Sequence, residues 1–134
     1  MKIPAHIFRE YDIRGVYGAE ITEDLARLLG QAYARMLPEE THAPVVVGRD
    51  VRLHGPRLME AVVQGITSMG RDVLDIGVVP TPLTYFAVFT ETAAGCVMVT
   101  ASHNPSEYNG FKMMLGRDAL HGEAIQRLRR EMEV

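Results

Sequence analysis

The sequence predicts an open three-layer α/β/α fold, with a mostly parallel sheet and one antiparallel strand. Short apolar or β-branched runs at residues 45–48, 72–76 and 96–100 alternate with longer segments of helical periodicity. Alternation on that length scale implies right-handed crossovers and a sheet covered on both faces. The ends of the runs open onto Asp50, a turn at residues 77–80, and Ser102. Open α/β sheets gather ligands at such strand ends.

Composition sets the outer bounds. A chain of 134 residues fits one domain, 1–134, with a sizeable core, and 47% hydrophobic with 23% charged residues is ordinary for a globular protein. A net charge of -3 gives no reason to expect nucleic acid or an anionic membrane as partner, so anion binding must come from local placement of Arg and Lys. No apolar stretch approaches the roughly 20 residues needed to span a bilayer, and the start lacks the apolar core of a secretory signal. The expectation is a cytoplasmic protein. The single Cys96 lies in an apolar run, where an inert buried thiol is expected.

Taken in order, residues 7–17 alternate poorly and end at Gly15, which puts Arg14 on a turn or strand end with its guanidinium free to meet an anion. A helix follows Thr22: Thr22 can cap it, Glu23 and Asp24 suit its N-terminal dipole, and Leu25, Leu28, Leu29, Ala32 and Met36 form one stripe before Pro38 stops it. The strand at 45–48 runs into a loop crowded with Arg49, Asp50 and Arg52. From about Pro56 a second helix should bury Leu58, Met59, Val62, Val63, Ile66 and Met69, ending at Gly70. After the strand at 72–76, Thr81 and Pro82 fit the cap and first residue of a third helix, whose apolar side is Tyr85, Phe86, Val88 and Phe89. Strand 96–100 delivers Ser102 just past its end. Phe111, Met113 and Leu115 then alternate with Lys112 and Met114 as a fourth strand, so Lys112 faces away from Phe111. A last helix from about Gly122 carries Ile125, Leu128 and Met132 on one side and Arg127, Arg129 and Arg130 near its end. The antiparallel strand is either the N-terminal segment or residues 111–115.

Residues 100–112 hold the chemistry. Both asparagines of the chain are here, in the turn dipeptides Asn104-Pro105 and Asn109-Gly110, so the backbone should reverse between them and return Lys112 towards Ser102. Lys112 is one of only two lysines. A serine hydroxyl needs a base, a metal or a phosphoryl group to act. His103 is its sequence neighbour and would point to the opposite face of a strand, and the hydrolase elbow G-x-S-x-G is absent, which disfavours a serine hydrolase. A hydroxyl among backbone N–H groups with a lysine nearby suits a phosphate. The bland alternative is a polar turn joining two strands.

The segment Thr100-Ala101-Ser102-His103-Asn104-Pro105, followed by Tyr108-Asn109-Gly110-Phe111-Lys112, resembles the phosphoserine loop of the α-D-phosphohexomutases, the family of phosphomannomutase and phosphoglucomutase. Phe8-Arg9-Glu10-Tyr11-Asp12-Ile13-Arg14-Gly15 is similar to that family's N-terminal signature, and Val47-Gly48-Arg49-Asp50 with Arg52 to a third motif. The likeness covers essentially the whole chain but only the first of four family domains. It implies a phosphate carried on Ser102 and exchanged with a hexose 1-phosphate or 6-phosphate, of mannose or glucose, through a hexose bisphosphate. Arg14 and Lys112 would serve as cations of the reaction and of substrate binding, with His103 and Tyr11 shaping the site or touching the sugar. Mg2+ would meet Ser102 through its phosphate, its other ligands coming from an acidic D-x-D-x-D loop in a later domain. The missing domains 2 to 4 are thus expected partners, and the chain alone is expected to be catalytically incomplete. His54 stands where relatives usually have a serine. Two rival readings are a non-catalytic module gripping a phosphorylated ligand with Arg14, Arg49, Arg52 and Lys112, and a fragment of a phosphoglucosamine mutase.

Overall fold

The computed structural model describes residues 2–133. After a 3-10 turn at Ala5–Ile7 the elements run β1 (Ile13–Val16), α1 (Glu23–Met36), β2 (Val45–Arg49), α2 (Gly55–Ser68), β3 (Val73–Val78), α3 (Thr81–Thr90), β4 (Gly95–Val99), β5 (Tyr108–Leu115), β6 (Asp118–Ala119) and α4 (Glu123–Met132). The sheet order is β1-β5-β4-β2-β3, with β6 folding back onto β5. β2 is parallel to β3 and β4, whereas β5 is antiparallel to both β4 and β1. The reversed strand is therefore the later of the two candidates.

Strand parity divides the core. Val45, Val47, Val97, Val99, Phe111 and Met113 face α1, α2 and α4 in the larger cluster, and Val46, Cys96 and Met114 face Ala87 and Val88 of α3 in a smaller one. Leu25, Leu29 and Leu58 are almost wholly buried, each such side chain contributing about 1.5–3 kcal/mol by leaving water. The Thr22 hydroxyl accepts the Leu25 amide at 3.1 Å, and α1 stops just before Pro38.

The structure departs from the sequence reading at several elements. Asn109-Gly110 is not a turn but part of β5, where Gly110 sits opposite Arg14 of β1. A Cβ on Gly110 would lie 2.0 Å from the Ile13 carbonyl oxygen, so glycine is required there for close strand approach, not for chain reversal. Residues 100–107 make the reversal instead, with the Asn104 amide on the Ala101 carbonyl and the Tyr108 amide on the Pro105 carbonyl. Arg14 is not at a strand end, because β1 continues through Gly15 to Val16. Pro80, not Thr81, caps α3, and Thr81 and Pro82 occupy its first two positions. The buried side of α3 is Thr84, Ala87 and Val88, while Phe86 and Phe89 are 61% and 47% exposed. That helix is apolar all round, so its small side decides: Thr84 lies close against Gly48 of β2, and the bulky rings turn outward. Arg117 covers the Phe89 ring at 5.1 Å. Met69 is the exposed C-cap of α2 rather than a core residue.

The β2–β3 pairing slips between Val47 and Gly48: Val47 meets Asp75 and Gly48 meets Gly77, leaving Ile76 as an extra residue in β3. Gly77 adopts φ +72°, and its amide is held by the Asp75 carboxylate at 2.8 Å.

Two stability predictions arise here. Glu20 accepts the Val16 amide at 2.8 Å and pairs with His6, which together hold its carboxyl below the usual range. That stabilisation is complete above the ordinary glutamate range, about 4.3, and is lost as pH falls through the lower folded-state value. Glu20→Gln should flatten the acid limb of a stability–pH profile measured by urea denaturation; an unchanged limb would contradict it. Burial pushes the Cys96 thiol up to about 12. At about pH 8 a thiol reagent should label it only as fast as the fold opens, since the thiolate is the nucleophile.

Candidate active site

Ser102 follows β4 by three residues and has φ +57°, one of two non-glycine residues in the left-handed region among the described residues. An L-residue there costs roughly 1–2 kcal/mol, so neighbouring contacts must hold it. On its amino side the Ser102 amide donates to the Thr100 hydroxyl at 3.0 Å, and that hydroxyl donates to the Asp50 carboxylate at 2.8 Å. Parallel pairing places Asp50 beside it, with the Asp50 amide on the Val99 carbonyl at 3.1 Å. On its carboxyl side stands Arg52. Its Nη2 donates to the carbonyls of Ser102 (3.1 Å) and Asn104 (2.7 Å), its Nη1 to those of Pro105 (2.7 Å) and Tyr108 (3.0 Å), and its Nε lies 3.4 Å from the Asp50 carboxylate. Arg49 donates to the Asp50 carbonyl at 3.2 Å.

Arg14 projects from β1, its Nε bonded to both oxygens of Asp12 at 3.0 and 3.1 Å. Asp12 is buried, which fixes the guanidinium from behind. Among the described residues its two Nη groups find no hydrogen-bond acceptor. Lys112, on β5 opposite Met98, is half-buried. Tyr11, Arg14, Ser102, His103 and Lys112 all line one cleft of about 400 Å³. His103 and Tyr11 are exposed at its rim, whereas Arg49, Asp50, Arg52 and His54, also singled out from the sequence, do not line it. A second cleft of about 430 Å³ joins Ser102, His103 and Lys112 to the start of α3, and a third of about 700 Å³ joins Ser102 to Val51, Arg52 and Asn104. Ser102 borders all three.

His54 does not cap α2 with its side chain. Asn109 directs its Oδ1 to the Gly110 amide, which turns its Nδ2 towards His54 Nδ1 at 3.0 Å and makes that nitrogen the acceptor. The imidazole also stacks on Tyr17, ring centroids 4.2 Å apart. His54→Ala should therefore loosen the joint between α2 and β5, read as a lower thermal midpoint by roughly 3–4 °C per kcal/mol lost.

Chemically, a partly exposed hydroxyl that shares a cleft with an oriented guanidinium and an ammonium suits a transferable phosphoryl group, whose charge both cations would offset. Asp12, Thr100 and the real partners of Arg52 escaped the sequence reading. Asp12 was legible as a carboxylate two residues before Arg14, on the same face of an extended chain; the Arg52 contacts reach some fifty residues along the chain and left no local signal. No cluster of three or more His, Cys, Asp or Glu that could hold a metal is present among the described residues, and no helix there is long and apolar enough to cross a membrane.

Fold, loop and clefts define an open α/β/α domain with a cationic cleft at its strand ends, and comparison with known proteins gives the family. Residues 5–133 match the family model described as phosphoglucomutase/phosphomannomutase, alpha/beta/alpha domain I, and the chain belongs to that family as its N-terminal domain. It is 51% identical over 126 residues to a phosphoglucomutase of Neisseria gonorrhoeae, covering 94% of this chain and 27% of that protein. It is 44% identical over 131 residues to a phosphomannomutase/phosphoglucomutase of Pseudomonas aeruginosa, covering 98% and 28%. A crystal structure of a phosphoglucomutase/phosphomannomutase family protein from Burkholderia thailandensis superposes with TM-score 0.91 at 41% identity, over 98% of this chain and 31% of that one. The chain spans little more than a quarter of the length of the curated relatives it matches.

Proposed function

We propose that this chain is the phosphoserine-bearing domain of a hexose-phosphate mutase acting on glucose or mannose phosphates. The observation that carries the reading is the convergence of Ser102, Arg14, Lys112, His103 and Tyr11 on one cleft at the carboxyl end of β4. In the forward half-reaction a sugar hydroxyl attacks phosphorus, the bond from phosphorus to Ser102 Oγ breaks, and the serine oxygen gains the proton the sugar loses. The bisphosphate then presents its other end, and its second phosphate returns to Ser102. Arg14, braced by Asp12, and Lys112 offset the charge on the moving group, since phosphoryl transfer is governed by positioning and charge neutralisation. His103 and Tyr11 meet the sugar at the rim.

Magnesium requires clustered hard oxygens; among the described residues no such cluster is present, and a phosphate on Ser102 would add oxygens to the site. Its remaining ligands and the sugar-selecting groups belong to the later domains. The phospholigand-module reading loses support, because Arg52 is engaged by four carbonyls and Arg49 by a fifth.

A chimera tests the reading: this chain replaces the matched 126-residue segment of the Neisseria gonorrhoeae phosphoglucomutase. Interconversion of hexose 1- and 6-phosphates, with phosphate found on Ser102 by mass spectrometry, is expected. A folded chimera without turnover would overturn it.

A further inference from the structure

We infer that Arg52 is the positioning residue of the Ser102 loop: by gathering the carbonyls of Ser102, Asn104, Pro105 and Tyr108 it holds Ser102 in the left-handed conformation from which the site works. The loop is wound so that its carbonyls converge inward, and such a ring of acceptors repels itself unless one donor-rich group fills it. A guanidinium offers five N–H donors in a rigid plane, and Arg52 places four bonds with its two Nη groups. Asp50 orients that plane from β2, receiving the Arg52 amide at 3.2 Å on one oxygen and standing near Arg52 Nε with the other. The same carboxylate accepts from Thr100, which in turn accepts the Ser102 amide. Ser102 is thus gripped at both its N–H and its C=O by one continuous network rooted in the end of β2. The Arg52 side chain is 12% exposed, and its guanidinium is occupied by the loop carbonyls it gathers.

Lysine cannot replace it, having three donors on a single point instead of a fork. The catalytic consequence rests on the proposed function, since a nucleophile displaced by about 1 Å loses on the order of a hundredfold in rate. The loop consequence does not depend on that reading.

Two measurements decide it. In this chain, amide hydrogen exchange of Ser102, Asn104 and Tyr108 should accelerate at least about tenfold in Arg52→Ala and in Arg52→Lys, while the sheet amides of Val46 and Val97 keep their rates, the signature of local rather than global opening. In the full-length enzyme that the proposed function calls for, both variants should lower kcat about a hundredfold with KM within about twofold, and millimolar guanidinium should restore part of the rate to Arg52→Ala. Unchanged loop exchange overturns the inference, as does faster loop exchange with unchanged kcat. A raised KM at constant kcat would make Arg52 a ligand contact and also overturns it. Turnover surviving Ser102→Ala would instead sink the mutase reading and leave the exchange result standing.

Discussion

Ser102→Ala is expected to remove hexose-phosphate turnover from the chimeric mutase by some four to six orders of magnitude, the scale of losing a covalent nucleophile. The oxygen that would carry phosphorus between half-reactions is gone, and neither Arg14 nor Lys112 can accept a phosphoryl group in its place. The fold should survive, because the contacts that shape the loop come from the Ser102 backbone, its amide to Thr100 and its carbonyl to Arg52. An unchanged thermal midpoint with no turnover and no phosphate at this position is the expected pair of results. Wild-type rates in the variant would mean that another group does the chemistry.

Gly110→Ala should be among the most damaging conservative changes to stability, costing about 3 kcal/mol or more, at the upper end for overpacking. The added methyl would meet the Ile13 carbonyl oxygen at 2.0 Å and the Arg14 Cα at 3.0 Å, both backbone atoms that can yield only by parting β1 from β5. Against a typical total of about 5–15 kcal/mol that is a large share. It should appear as a lower urea midpoint. Because β1 carries Arg14, any folded remainder should also bind phosphate more weakly. A midpoint within error of the parent would show that the two strands can separate at no cost.

Much of this architecture could be read from the chain because several signals agreed locally. Thr22, Glu23, Asp24, the leucine stripe and Pro38 all mark the same helix, and it forms between those bounds. Strand direction could not be read, since whether β5 runs with or against β4 is fixed by partners distant in sequence. Asn109-Gly110 was misleading for a related reason: the glycine that permits a tight turn and the glycine that admits a neighbouring backbone look alike in one dimension. α3 lacks a polar face, so its periodicity could not choose which side meets the sheet. In the site, residue types pointed to Ser102 and Lys112 and the family resemblance to Arg14, but which arginines are tied up by the fold needed three dimensions. Arg52 reads as a candidate anion ligand until its carbonyl partners are seen.

The irregularity in β3 has a bearing on how far this sheet can grow. β3 is the outer strand on its side, and a regular outer strand is a template onto which another molecule can add its own. Here the inserted Ile76 throws the ladder out of step, and the amide of Gly77 is already occupied by Asp75. A foreign strand therefore finds no continuous row to copy, and fibril-like stacking is blocked at that margin.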